Sequence, residues 1–165
     1  MFRITQSISI GPYASLERAD LLLRSGITHV LNVSDAPSEI VAGQGFIDVD
    51  WIPMPDNRKL MPHTALRAID ALHRFVTSPD SHVYVHCVAG LVRSPTILWL
   101  YLVGSGSPLK DAKEMIELRS PGAVAGHPQM VSDEHVLLVR KHGQQHFLPH
   151  SRLAAIAPLL SPAGS

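Results

Sequence analysis

At 165 residues, 45% of them hydrophobic, the chain suits one domain with a single core and is too apolar to be a disordered segment. Fourteen basic residues balance fourteen acidic ones, so net charge draws the chain to neither nucleic acid nor an anionic membrane. One cysteine excludes an intramolecular disulfide, Met1–Ile10 lacks the basic-then-apolar pattern of a secretory leader, and the longest apolar run, Ile97–Val103, is too short to span a bilayer. The expectation is a soluble, cytoplasmic protein with no nucleic-acid and no membrane partner; oligomeric state is not legible.

Ser7–Ile10 alternates as a short strand that Gly11 and Pro12 end. Ser15 is placed to cap a helix whose Leu16, Ala19, Leu22 and Leu23 form an apolar stripe, with Gly26 as its C-terminal stop. Ile27–Val33 reads as a buried strand. In Phe46–Ile52, Ile47, Val49 and Trp51 alternate with Asp48 and Asp50, which predicts a strand with one wet face. Leu66, Ile69, Leu72, His73 and Val76 have helical spacing. After a Ser78-Pro79-Asp80 turn, Val83–Val85 predicts a strand running into His86, and Pro95–Val103 a helix buried on most sides. Ser107 and Pro108 fit the N-cap and first position of a further helix, with Lys110–Glu114 and Lys113–Glu117 pairs on its exposed face. A last helix is expected from Pro128 to about His142, stopped by Gly143.

Strands alternating with helices predict an α/β fold, a central, mostly parallel sheet flanked by helices. A catalytic domain is expected over residues 1–145 and a C-terminal tail over 146–165, whose Leu153, Ile156, Leu159 and Leu160 can dock on the core or on a partner. His142, His146 and His150 recur every four residues, but Gly143 and Pro149 interrupt a helix there. No cysteine or carboxylate completes a coordination set, so no metal and no cofactor are expected.

The chemistry concentrates in His86-Cys87-Val88-Ala89-Gly90-Leu91-Val92-Arg93-Ser94, between a strand and an apolar helix. Five residues separate the cysteine from the arginine. A loop of that length can curl until the backbone N–H groups of Val88 to Val92 point inward and, with the helix N-terminus, form an anion nest. Gly90 gives the curl its backbone freedom. Arg93 can grip two phosphate oxygens with its planar fork. The same dipoles favour a thiolate, and cysteines so placed have pKa values of roughly 3.5–7.5, which makes Cys87 the candidate nucleophile. An inert buried cysteine would leave Gly90, Arg93 and Ser94 at this spacing without a purpose.

Displacing an alcohol or phenol from phosphorus needs a proton donor on the far side. Asp56, in the Pro53-Met54-Pro55-Asp56-Asn57 loop after the Phe46–Ile52 strand, is the candidate acid; a turn-forming Asp-Asn pair is the other reading. Asp48 and Asp50 are weaker candidates, being placed on a solvated face. Ser94 can donate to the cysteine sulfur when it becomes a leaving group, or cap the helix before Pro95, and the two roles are compatible.

His86–Ser94 resembles the Cys-x5-Arg-Ser/Thr signature of protein tyrosine phosphatases and, more closely, the His-Cys-x-Ala-Gly-x-x-Arg-Ser loop of the dual-specificity branch. Ser9-Ile10-Gly11 looks like that branch's opening strand, and Gly26–Val33 is similar to its Gly-Ile-Thr-His-Val-Leu-Asn-Val segment. Ile52-Pro53 through Asp56-Asn57 resembles its acid loop, and Arg119–Pro121 its Arg-x-Pro element, so the similarity covers about residues 4 to 142. The resemblance implies a compact sheet-and-helix fold, a metal-free reaction through a phosphocysteine, and phosphorylated protein as substrate, at phosphotyrosine and at phosphoserine or phosphothreonine. Val92 and Gly126-His127 depart from the usual pattern.

Rhodanese-like sulfurtransferases are disfavoured because their loop is usually one residue shorter. Low-molecular-weight phosphatases are disfavoured because their loop is near the N-terminus and their acid follows it. Val88, Ala89, Leu91 and Val92 are uncharged, which disfavours a polyphosphorylated lipid or an RNA 5′-triphosphate. Arg58 and Lys59, beside the candidate acid loop, can contact a second phosphate or form a solvated face, and the solvated face is the favoured reading. A phospho-binding module without turnover is the alternative of a different class.

Overall fold

The computed structural model describes residues 1–147 and 160–164. Five strands form one sheet: β1 (Phe2–Arg3), β2 (Ile8–Gly11), β3 (His29–Asn32), β4 (Asp48–Trp51) and β5 (Val83–His86), in the order β1-β2-β5-β3-β4. β1 is antiparallel to β2 and every other pairing is parallel. The helices are α1 (Ala19–Arg24), α2 (Pro62–Val76), α3 (Arg93–Gly104), α4 (Leu109–Arg119) and α5 (Asp133–His146), and a 3₁₀ turn at Leu16–Arg18 precedes α1.

Successive strand side chains point to opposite faces, and here both faces are covered. Ile8, Ile10, Leu31, Val83 and Val85 pack in the larger core cluster, with buried residues of α2, α3, α4 and α5. Val30 and Tyr84 point the other way, into a smaller cluster with Leu22 of α1, Ile27, Ile40 and Phe46. Every residue of α3 is buried, which suits a segment whose sequence is apolar all round. The α/β architecture with a mostly parallel sheet is therefore as expected, while the two-residue β1 carries too little pattern to be read beforehand.

Four expectations change. α5 starts at Asp133, not Pro128: Ser132 is its N-cap, and the Ser132 N–H donates to His135 Nδ1 at 3.2 Å. Its fellow ring nitrogen, Nε2, donates to the Leu60 carbonyl at 2.7 Å. α5 also runs through Gly143 to His146. That glycine is an approach point and not a stop, since a Cβ on it would lie 1.8 Å from the Gly104 carbonyl oxygen of α3. β4 is an edge strand, so Ile47 is 65% exposed and Trp51 is partly exposed, and the expected apolar face is only weakly buried. Asp48 and Asp50 instead both accept from Arg74 of α2, at 2.5 and 3.0 Å. Near the N-terminus, Leu22 is buried and Ala19 and Leu23 pack beside it on the smaller cluster, but Leu16 drops out of the expected stripe because it is exposed in the 3₁₀ turn. The start of α4 moves by one residue, with Pro108 as N-cap, and both of its expected ion pairs form.

Leu160 packs against the larger core cluster, and Pro162 bridges to Thr5. Leu153, Ile156, Leu159 and His150 lie outside the described residues. His142 and His146 stand on α5 with ring centroids 4.4 Å apart, and His142 Nε2 pairs with Asp70 at 2.6 Å.

Candidate active site

The parallel register sets the place of the site. Gly11 and Asn32 both pair with His86, and Asn32 pairs with Trp51. Four strands thus end level, and the segments that follow them, at Pro12, Val33, Ile52 and Cys87, emerge on one edge. This is the edge where open α/β sheets carry their ligands.

Cys87 follows β5 directly, its side chain 3% exposed, at the base of a cavity of about 270 Å³. The Gly90 N–H donates to Sγ at 3.2 Å, and Ser94 Oγ lies 3.5 Å from it. Gly90 has φ of 76°, and a Cβ there would stand 2.4 Å from the Gly11 carbonyl carbon, so both backbone sign and space require glycine. Two neighbours pin the loop. The Tyr13 N–H donates to the Val88 carbonyl at 2.9 Å, and the Val124 N–H to the Leu91 carbonyl at 2.7 Å.

Of the expected anion-binding residues, Val88, Ala89, Leu91, Val92 and Arg93 line the cavity. Gly90 lies behind them, its N–H turned to the sulfur. Ser94 does not cap α3: the helix begins at Arg93 with Val92 as N-cap, two residues before Pro95, and no side chain makes a cap bond. Its hydroxyl faces Cys87 instead.

Asp56 also lines the cavity, with Oδ1 3.7 Å from Arg93 Nε, and the same oxygen accepts the Asn57 N–H at 3.0 Å. Asn57 has φ of 52°, as the turn reading of this Asp-Asn pair required. The turn therefore leaves Asp56 on the cavity wall. Asp48 and Asp50 are spent on Arg74. Arg58 lines a shallower groove of about 540 Å³ beside the acid loop, with Asp35, Pro53, Met54 and Pro55. Lys59 is exposed.

Asp35 is the residue that sequence reasoning missed. It accepts from Arg93 Nη1 at 2.7 Å, and this bond holds its carboxyl below the usual carboxylate range. Asn32 shapes its loop: Nδ2 donates to the Ala36 carbonyl at 2.8 Å, and Oδ1 accepts the Ser34 N–H at 2.9 Å. Trp51 Nε1 donates to the Ser34 carbonyl at 3.0 Å, fastening the loop to β4. The only advance signal was an Asp two residues past a strand end, which is common in any turn.

His86 is fully buried between Tyr84, which stacks on it, and Tyr13, which meets it edge-on. Burial lowers its pKa to about 4, so it is neutral at ordinary pH. Its Nδ1 lies 3.4 Å from the Ala14 nitrogen and 3.3 Å from the Cys87 carbonyl oxygen. The ring thereby supports the backbone at the start of the loop.

This loop, its place after the central strand and Asp56 beside it in the cavity define a class, and similarity to known proteins agrees. The dual specificity phosphatase catalytic domain family matches residues 8–132, and the chain belongs to that family. The chain is 42% identical over 109 residues to protein tyrosine phosphatase type IVA 3 of Bos taurus, covering 62% of this chain and 61% of that one. It is 34% identical over 117 residues to human dual specificity protein phosphatase 5, covering 67% of this chain and 28% of the relative. It thus spans less than two thirds of the length of either. A mouse putative dual specificity phosphatase, solved in complex with zinc tungstate, has the same fold at 22% identity, with a TM-score of 0.67 over 92% of this chain and 90% of that one.

Proposed function

We propose that this chain hydrolyses phosphomonoesters on phosphorylated proteins, at phosphotyrosine and at phosphoserine or phosphothreonine, through a phosphocysteine. One observation carries the reading: Cys87 Sγ, bonded by the Gly90 N–H at 3.2 Å, lies in the same cavity as Arg93 and Asp56. In the first step the Cys87 thiolate attacks phosphorus in line, the bond to the leaving oxygen breaks, and Asp56 gives that oxygen its proton. The loop N–H groups and the Arg93 fork hold the non-bridging oxygens, most strongly where charge gathers in the transition state. In the second step Asp56 takes a proton from water, the water oxygen bonds to phosphorus, and the sulfur leaves. Ser94, 3.5 Å away, supports the departing thiolate with its hydroxyl. Residues 1–145 make up the catalytic domain in this reading, and 146–165 an extension of it.

Wild type and Cys87→Ser, assayed on phosphotyrosine, phosphoserine, phosphothreonine and phosphoinositide substrates, test the proposal. Wild type is expected to release phosphate from the phosphoamino-acid substrates. Cys87→Ser is expected to release none and still bind tungstate by calorimetry, because the nest and Arg93 remain. Phosphate release by Cys87→Ser would remove the nucleophile. Tungstate binding by a wild type that releases phosphate from nothing would make the chain a phospho-binding module.

No described helix is long and apolar enough to cross a membrane.

A further inference from the structure

Arg93 is 4% exposed, and its guanidinium has two edges that can present a pair of N–H groups to an anion. One edge pairs Nη1 with Nη2, the other Nε with Nη2. Nη1 carries two hydrogens and both are engaged: one on Asp35 Oδ1 at 2.7 Å, the other on the Met54 carbonyl at 3.1 Å. Nε and Nη2 donate to none of the described residues, and Nε stands 3.7 Å from Asp56 Oδ1 across the cavity. The free edge is thus the Nε–Nη2 edge, on the side of Asp56 in the cavity that Cys87 also lines.

We infer that Asp35 is a positioning residue: by occupying Nη1 it fixes which edge of the Arg93 fork meets the phosphoryl group. The inference rests on the phosphatase reading above and adds to it a residue that touches Arg93 and not the reacting atoms. The same nitrogen bonds Met54, two residues before Asp56, so one guanidinium ties the anion loop to the acid loop. Asp35 supplies the acceptor oxygen that keeps the guanidinium in that bridging pose. Without it the fork can rotate about its last side-chain torsions, and a buried fork misplaced by about 1 Å can cost on the order of a hundredfold in rate. The contact to phosphate strengthens in the transition state, so the loss falls on kcat more than on KM.

Two substitutions separate positioning from plain charge. Asp35→Ala removes both the charge and the acceptor. Asp35→Asn removes the charge and leaves an oxygen in reach of Nη1. Asp35 has a 66% exposed side chain, so neither change opens the core, and urea unfolding checks that both variants fold as wild type does. Steady-state kinetics on an aryl phosphate and tungstate calorimetry are run on all three proteins. Asp35→Ala is expected to lose roughly tenfold to a hundredfold in kcat with little change in KM, and to bind tungstate more weakly. Asp35→Asn is expected to stay within about fivefold of wild type in both, since a neutral acceptor replaces a charged one. An equal loss in the two variants would overturn positioning by the acceptor and assign the effect to charge alone, and tighter tungstate binding by both would reassign Asp35 as a repelling charge. An unaffected Asp35→Ala would make it a bystander. Calorimetry reads the positioning even where no protein turns substrate over, so failure of the phosphatase reading and failure of the Asp35 inference give different patterns. A wild type that does not bind tungstate overturns both.

Discussion

Asp56 is held by its own turn and still lines the cavity, the place its proposed role as acid requires. Its carboxylate accepts a backbone N–H inside its own turn and still faces the cavity, half exposed, beyond hydrogen-bond distance of Arg93 Nε. A carboxyl that reaches the cavity is what the proposed proton donation needs. Asp56→Asn keeps the turn bond and removes the proton. We expect kcat on phosphotyrosine to fall by roughly 10²–10⁴-fold, and by much less on an ester of a strongly acidic phenol, which leaves without help. Measured kcat against leaving-group acidity should therefore steepen in the variant. An equal loss on every leaving group would show that Asp56 only shapes the loop. At Gly90, one hydrogen atom in place of a side chain lets the loop curl, touch β2 and aim its N–H at sulfur.

Among the elements, the crossing of α3 and α5 depends on two glycines. By helix propensity, Gly143→Ala in the interior of α5 should stabilise by about 1 kcal/mol. Packing reverses the sign. The new methyl would sit 1.8 Å from the Gly104 carbonyl oxygen, which is backbone in the middle of the core and has nowhere to go. Overpacking of this kind typically costs about 1–3 kcal/mol, and here it also forces two helices apart. We expect a lower urea midpoint for Gly143→Ala and an unchanged or higher one for Gln144→Ala on the exposed side of the same helix. A stabilised Gly143→Ala would mean that the helices do not approach so closely in solution.

Across the whole molecule, histidines sit where the sheet is most buried. His29 and His86 belong to β3 and β5, and His82 leads into β5 with Ser9 Oγ 2.9 Å from its Nε2. Burial lowers the pKa of His82 and His86 to about 4 and moves His29 in the same direction. At a pH above the ordinary histidine value, all three are neutral in folded and unfolded chains alike. Below it only the unfolded chain takes up protons, so stability is lost as pH falls from about 6.5 toward 4. His86 alone should cost about 2 kcal/mol between pH 7.5 and pH 5. The urea midpoint should drop over that range, and His86→Asn should flatten the drop. A midpoint that is level from pH 7.5 to 5 would show that these rings are not held neutral by the fold.

The sequence alone determined the strand–loop–helix around Cys87 and the alternation of elements. Both are written in local chemistry: turn residues, apolar periodicity and a fixed spacing between Cys87 and Arg93. It also placed Asp56 in the correct loop, because prolines confine a chain wherever they stand. What it left undecided involves partners far apart in the chain. Asp35 and Arg93 are 58 residues apart, and Gly104 and Gly143 stand on different helices; no local pattern records either meeting. Read locally, Gly143 is a helix breaker and Asp35 a turn residue. Only the level ends of the parallel strands bring Asp35 to Arg93, and only the close crossing of α3 and α5 turns the helix breaker into a contact. A side chain's intrinsic preference is about 1 kcal/mol, and burial or overpacking at a tertiary contact can exceed it, which is why tertiary structure decided these positions.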